Sequence, residues 1–480
     1  MANDGWYFWS RRHLRPFVCH RSKATCRAEA SRTFKLTFQK VPHHSTVAVS
    51  EHHVSGSTYL HTLLPAPDTP ESMCRTMLSM EVLKYPSATL PNTKGGGHDP
   101  SHVLGGGRET KLIGIMEYLQ KDRPTFKPHD LVMVVDGHDP LFHLPPKALF
   151  SRYRDIIKSS NDRLRTSVGL GPVRHGIVRN SIVISSPACS GPAASDQASV
   201  SEDPLLPGVI LGPVEDMRRL FERVNSDQES DQGDPLALSC IFSDILVAQE
   251  AHRQSMSWWL YAAIPRIALW FSHRFGGEPS ASDIPTNGAE YGITLDTKSL
   301  IISTPETLER RRCDSLGDME KSIYGKASPH CRYLNDITPP FWTLDGALPQ
   351  NDTSWYNQDL PYSPSAKSFP VLTQNSPTAR PEQNTKIEGL NQWKRMWFHP
   401  HARALLDTHV FEPSTYMARI GTEKGEWTYW SRWAEKAGGR TEDGQWRKWD
   451  EFCGGEFAEE LFRDGRGSWE DPRGGWTGGG

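Results

Sequence analysis

The sequence predicts an α/β fold, a mostly parallel sheet flanked by helices, with irregular extensions at both ends. Three observations carry this. Residues 131–135 read LVMVV, five apolar side chains in a row, which suits a strand buried on both faces of a parallel sheet. Short apolar runs alternate with segments of helical spacing from about residue 60 to 254, the order of strands and crossover helices. Apolar residues make up only 37% of 480, while Gly and Pro number 39 and 36, so one sizeable core with long loops and extensions is expected.

The elements follow in order. Residues 1–55 mix basic, His and Ser residues without periodicity and read as a tail. Residues 60–65 (LHTLLP) suit a first strand, and 74–83 place apolar side chains at helical spacing. Residues 92–108 are a Gly-rich loop. No GK[ST] follows it, so it is not a phosphate-binding loop. A helix over 109–120 carries Leu112, Ile113, Met116 and Leu119 on one face. The strand at 131–135 ends in Asp136-Gly137-His138-Asp139, and a helix begins near Pro146. Strands are expected at 177–185, 208–211 and 291–295, and helices at 213–224 and 236–254. Residues 391–406 return to helical spacing but contain Pro400. Residues 411–480 hold seven of the sixteen tryptophans without a continuous apolar face, and read as a segment that wraps the main domain or stays unfolded. The organisation is therefore a basic tail (1–55), one α/β domain (56–410) and a Trp/Gly-rich extension (411–480).

Net charge is -3, which argues against nucleic acid as a partner. Eight cysteines include no CxxC pair, against a zinc ribbon or thioredoxin motif; disulfides stay open and their pairing unread. Residues 1–35 lack an apolar run of signal-peptide length. The most apolar stretch, 258–271, is short for a bilayer and contains Pro265 and Arg266, so no clear membrane span is expected.

The strongest chemical signal is LVMVVDGHDPLF at 131–142. Asp136 and Asp139 stand three residues apart just past a buried strand, and open sheets bind ligands at the carboxyl ends of their strands. Paired carboxylates there can hold a hard cation such as manganese or magnesium, which would bridge a diphosphate. Spacing alone favours aspartates that cap a turn or the next helix over metal ligands. His399 and His401 lie two apart, a poor arrangement for joint ligation on a helix. The tryptophans suit glycan stacking or, more commonly, core and docking roles. No GxSxG or HExxH motif is present.

Taken in order, LHTLLPA, MCRTMLSMEVLKYP, ETKLIGIMEYL, LVMVVDGHDPLFHLPPKALFSRY, LGPVEDMRRLFERV, YGITLDTKS and KRMWFHPHARALL resemble a fungal family similar to the glycosyltransferase domain of procollagen-lysine glycosyltransferases and lysyl hydroxylases. The resemblance spans roughly residues 57–470. It implies a GT-A-like fold, a UDP-sugar donor, a protein or glycan acceptor, and work in the Golgi or ER lumen. Asp136 and Asp139 would hold the metal and diphosphate. Thr62, after the first strand, would lie near the base, and Lys111 would face the phosphates. Asp234 would be the catalytic carboxylate on the acceptor side.

The sequence also departs from that pattern. Leu206-Pro207-Gly208 stands where relatives carry Asn-Ser-Gly, and Asp234-Pro235 replaces an Asp-Gln pair. Ser185-Ser186-Pro187 replaces an Ala-Asp-Lys-like stretch, and Thr373 replaces an expected histidine ligand. Two functions follow from this: a metal-dependent glycosyltransferase, or a catalytically inactive nucleotide-sugar-binding or interaction domain. A hydrolase using the same aspartates ranks last, because no general base accompanies them.

Overall fold

The computed structural model describes four N-terminal strands by their backbone and, beyond them, residues 57–65, 70–91, 108–120, 126–136, 140–169, 178–185, 208–230, 237–255, 290–303, 308–312, 360–364, 367–374, 391–413, 416–422, 425–431, 435–454 and 458–475, with isolated positions at 173, 334 and 358. The chain divides into two units, 1–54 and 55–480. Where the sequence reads as a tail, the first unit contains β1 (Trp6–Trp9), β2 (Pro16–His20), β3 (Thr25–Ala28) and β4 (Thr33–Lys35), an antiparallel meander.

The second unit is built on a ten-stranded mixed sheet. Its central strands are β5 (Ser57–Leu63) and β7 (Leu131–Val135), which are parallel with Leu60 opposite Leu131 and Leu63 opposite Val134. After β5 the chain forms α1 (Pro70–Val82) and reaches β6 (Thr89–Leu90), which extends the sheet on one side of β5. It then forms α2 (Arg108–Gln120) and enters β7 on the other side. The order of strands thus reverses between β5 and β7. A short β8 (Leu141–Phe142) and α3 (Pro146–Ser167) follow.

Beyond β7 lie β10 (Val209–Pro213), β9 (Ile182–Ser185) and β11 (Ile293–Leu295). β10 runs antiparallel to both neighbours, whereas β9 and β11 are parallel to each other. The helices α4 (Val214–Ser230) and α5 (Ala237–Ser255) follow β10.

Alternation along β7 explains its unbroken apolar run. Leu131, Met133 and Val135 enter one core with residues of α1 and α3, while Val132 and Val134 enter a second with α2, α4 and α5. Each fully buried aliphatic side chain contributes about 1.5–3 kcal/mol relative to exposure. A small sheet flanks the main one: β12 (Ile302–Ser303) pairs with β15 (Leu372–Thr373), which pairs with β8. Between them in sequence, β13 (Glu309–Arg311) pairs with β14 (Leu360–Tyr362).

The expected helix over 391–406 is broken where Pro400 sits. A helical turn over 391–394 gives way to a 3-10 turn at His399–His401, and α6 (Ala402–Phe411) begins after it. The extension corrects the expectation of an irregular wrap. It supplies β16 (Tyr416–Thr422), β17 (Gly425–Ser431), β18 (Gly438–Thr441) and β19 (Trp446–Lys448) to the main sheet, then α7 (Trp449–Cys453) and α8 (Ala458–Leu461). β17 covers the first half of the edge of β5, and β18 lies parallel to β6. A sheet edge with unpaired N–H and C=O groups is thereby closed.

Tryptophan is the docking residue. The indole Nε1 of Trp393 donates to Leu461 O at 3.2 Å, Trp397 to His143 O at 3.2 Å, and Trp469 to Asp407 Oδ1 at 2.7 Å. Arg403 holds the loop at 464–468 through Asp464, Gly467 O and Ser468 O. A disulfide between Cys74 of α1 and Cys453 of α7, both fully buried, closes the chain across 379 residues. Among the described residues no helix is long and apolar enough to cross a membrane. The apolar stretch 258–271 lies outside them.

Candidate functional site

Asp136 follows β7 directly, at the carboxyl edge of the sheet and beside the strand-order reversal between β5 and β7. Open α/β sheets bind ligands in the crevice at such a reversal, because connections leave in opposite directions and open a gap there. Its backbone N–H donates to Gly208 O at 2.9 Å, so the last residue before β10 fixes its position. The residue is 3% exposed, and Lys111 Nζ from the first turn of α2 lies 3.3 Å from Oδ1. Two of the site residues expected from sequence, 25 positions apart, are thus brought together.

The others are placed differently. Thr62 lies inside β5, opposite Met133, rather than after the strand. It shares the face of Leu60 and Met133, whereas Lys111 comes from α2 on the opposite face. Asp139 and Asp234 lie outside the described residues. Among the described residues no group of three or more His, Cys, Asp or Glu is arranged to hold a metal ion. Asp136 offers one carboxylate of the kind a hard cation takes.

The carboxyl edge continues as a row of polar groups that the sequence pattern did not flag. Ser185, at the end of β9, donates its hydroxyl to Asp296 Oδ2 at 3.1 Å, and Ile301 N–H donates to the same oxygen at 2.7 Å. Asp296 therefore ties the end of β11 to β12. Gln374, after β15, donates its backbone N–H to Ser303 O at 3.1 Å and packs its side chain against Gly208. A Cβ on Gly208 would come within 2.6 Å of Gln374 Oε1, 2.7 Å of Ile302 Cδ1 and 3.1 Å of Ser185 O, so a larger residue there would require these atoms to move. Asp136, Gly208, Gln374 and Ser303 are linked in one run of contacts, and Ser185, Asp296 and Ile301 in a second.

Thr373 accepts from or donates to Nε2 of His143 at 2.9 Å. Burial pulls the His143 imidazole down to about 3, with the Arg310 charge acting the same way, so the ring is neutral at ordinary pH. No local spacing announces His143, Asp296 or Gln374, because each joins the site through a strand pairing distant in sequence.

The remaining candidates resolve structurally. His399 is buried and packs edge-on against Trp393 with ring centres 5.2 Å apart, and burial together with Arg463 lowers it to about 4. A depression lined by Asp155, Lys158, Asp162 and Arg163 belongs to one face of α3. That half of α3 bonds Asn180, at the start of β9 and so at the opposite end of that strand from the polar row. Compared with known proteins, the chain matches no protein-family model, no curated protein and no solved structure.

Proposed function

We propose that the second unit binds a nucleotide sugar at the carboxyl edge of its sheet, with Asp136 and Asp139 holding manganese or magnesium, and that it is a glycosyltransferase of GT-A type. The observation that carries this reading is the Lys111–Asp136 pair at the end of a strand buried on both faces, beside the strand-order reversal. An ammonium and a carboxylate side by side can share a metal diphosphate: the carboxylate takes the cation, and the ammonium turns to phosphate oxygen. The family resemblance supplies the donor class, UDP-sugar, and an acceptor of protein or glycan nature. The deciding experiment is calorimetric titration of the full chain with UDP, with and without manganese. Metal-dependent binding is expected, and absence of binding in both conditions removes the reading.

The second reading is a binding domain with little or no turnover. It is favoured by Thr373, whose hydroxyl is committed to His143, and by Leu206, Pro207 and Pro235, which offer no side-chain hydrogen bond. Transfer requires groups that stabilise the transition state more than the bound substrate. Incubation with manganese and a panel of UDP-sugars separates the two. Multiple-turnover release of UDP supports the transferase, and stoichiometric binding without release supports the binding domain.

A further inference from the structure

Gln374 is 1% exposed, and among the described residues neither its amide oxygen nor its amide nitrogen has a hydrogen-bond partner. A buried amide left unpaired is destabilising, and native proteins leave few such groups. An apolar side chain of the same length would fill the space without that cost. Gly208 gives the amide room: a Cβ there would stand 2.6 Å from Oε1. The same glycine accepts the N–H of Asp136. The orphaned amide thus packs against the residue whose carbonyl holds the backbone of Asp136.

The chemistry of the missing partner can be narrowed. An anion would satisfy the amide N–H and oppose its oxygen, and a cation would do the reverse. A hydroxyl group both donates and accepts, so a pair of ring hydroxyls would satisfy both ends. Position separates sugar from base. β7 has β5 on one side and β10 on the other, and the strand-order reversal lies on the β5 side. Gln374 lies on the β10 side, against Gly208. A diphosphate centred on Asp136 with its nucleoside over the reversal therefore carries its sugar towards Gln374.

We propose that Gln374 is a specificity-determining residue that reads the hydroxyls of the donor sugar, an inference resting on the nucleotide-sugar reading above. Gly208 is its positioning partner.

The test compares the wild-type chain with Gln374→Met, near-equal in length but without a polar terminus, by titration in manganese with UDP, UDP-glucose and UDP-galactose. Expected are unchanged affinity for UDP, a loss of about tenfold for the preferred UDP-sugar, and thermal stability equal to or above wild type. An equal loss for UDP alone, or no loss for any UDP-sugar, overturns the role of Gln374 while leaving the site itself standing. No metal-dependent binding of any of the three by wild type removes the nucleotide-sugar reading and this inference together. Should Gln374→Met fail to fold, the side-chain amide resonance of Gln374 in the wild-type chain decides. It is expected to shift with UDP-sugar and not with UDP, and identical spectra with both overturn the proposal.

Discussion

Lys111 Nζ stands 3.3 Å from Asp136 Oδ1, joining the first turn of α2 to the end of β7 across the sheet's carboxyl edge. Both side chains are largely buried, at 13% and 3% exposure. Replacing Lys111 by Met removes one partner and leaves a buried carboxylate. Stability should fall by about 1–3 kcal/mol in urea unfolding. Manganese-dependent UDP affinity should fall at least about tenfold, since the lysine is expected to meet phosphate. Unchanged affinity in a folded Lys111→Met chain would show that the pair is purely structural.

Asp139→Ala should abolish metal-dependent UDP binding while leaving the thermal transition within a few degrees of wild type, because a side chain that serves a ligand and not the core can be truncated at small cost. Titration of the folded variant decides. Retained binding would reassign this aspartate to turn capping.

The disulfide predicts that non-reducing peptide mapping of the secreted or oxidised chain links Cys74 to Cys453. Bridges of this kind persist in oxidising compartments. Removing it by Cys453→Ser should cost about 2–5 kcal/mol, because α7 and the extension would no longer be tied to α1 in the unfolded chain. Free thiols at both positions in the natively expressed protein would contradict this pairing.

A buried ionic cluster predicts a pH dependence. His409 Nε2 lies 3.3 Å from Glu81, its Nδ1 3.7 Å from Glu412, and Lys84 lies 2.8 Å from Glu412. Lys436 caps the end of α6 at His409 O and Glu412 O. Burial lowers His409, but Glu412 and Glu81 outweigh it, and the imidazole is raised above its usual 6.5. Burial raises Glu412, but His409 and Lys84 outweigh it and hold the carboxyl at about 2. The contribution of His409 is therefore full below 6.5 and lost as pH rises through its folded value, whereas that of Glu412 is full above 4.5 and lost as pH falls towards 2. The difference in unfolding free energy between wild type and His409→Gln should shrink as pH rises from about 6 to 9. A flat or growing difference would exclude the charged imidazole as the stabilising species.

Periodicity in the sequence was enough to place β7 to the residue, and it located α1, α2, α4 and α5 to within a few positions at most ends. Burial on one or both faces writes itself into the order of apolar side chains, and this is a local property. Asp136 was legible for the same reason, at the end of a buried run, whereas Lys111 was named only through the family resemblance. Other features depended on pairings that no local pattern encodes. Thr62 was expected after its strand, but the strand runs on to Leu63, and its period of two turns Thr62 to the face of Leu60 and Met133. The residues 6–35 and 411–448 carry too little apolar alternation to read as strands, yet they pair by backbone hydrogen bonds that any side chain permits. Cys74 finds Cys453, and Gln374 finds Gly208, across 379 and 166 residues of chain. Only the tertiary structure decides such contacts, because the free energy that selects them belongs to the packed core as a whole and not to any window of sequence.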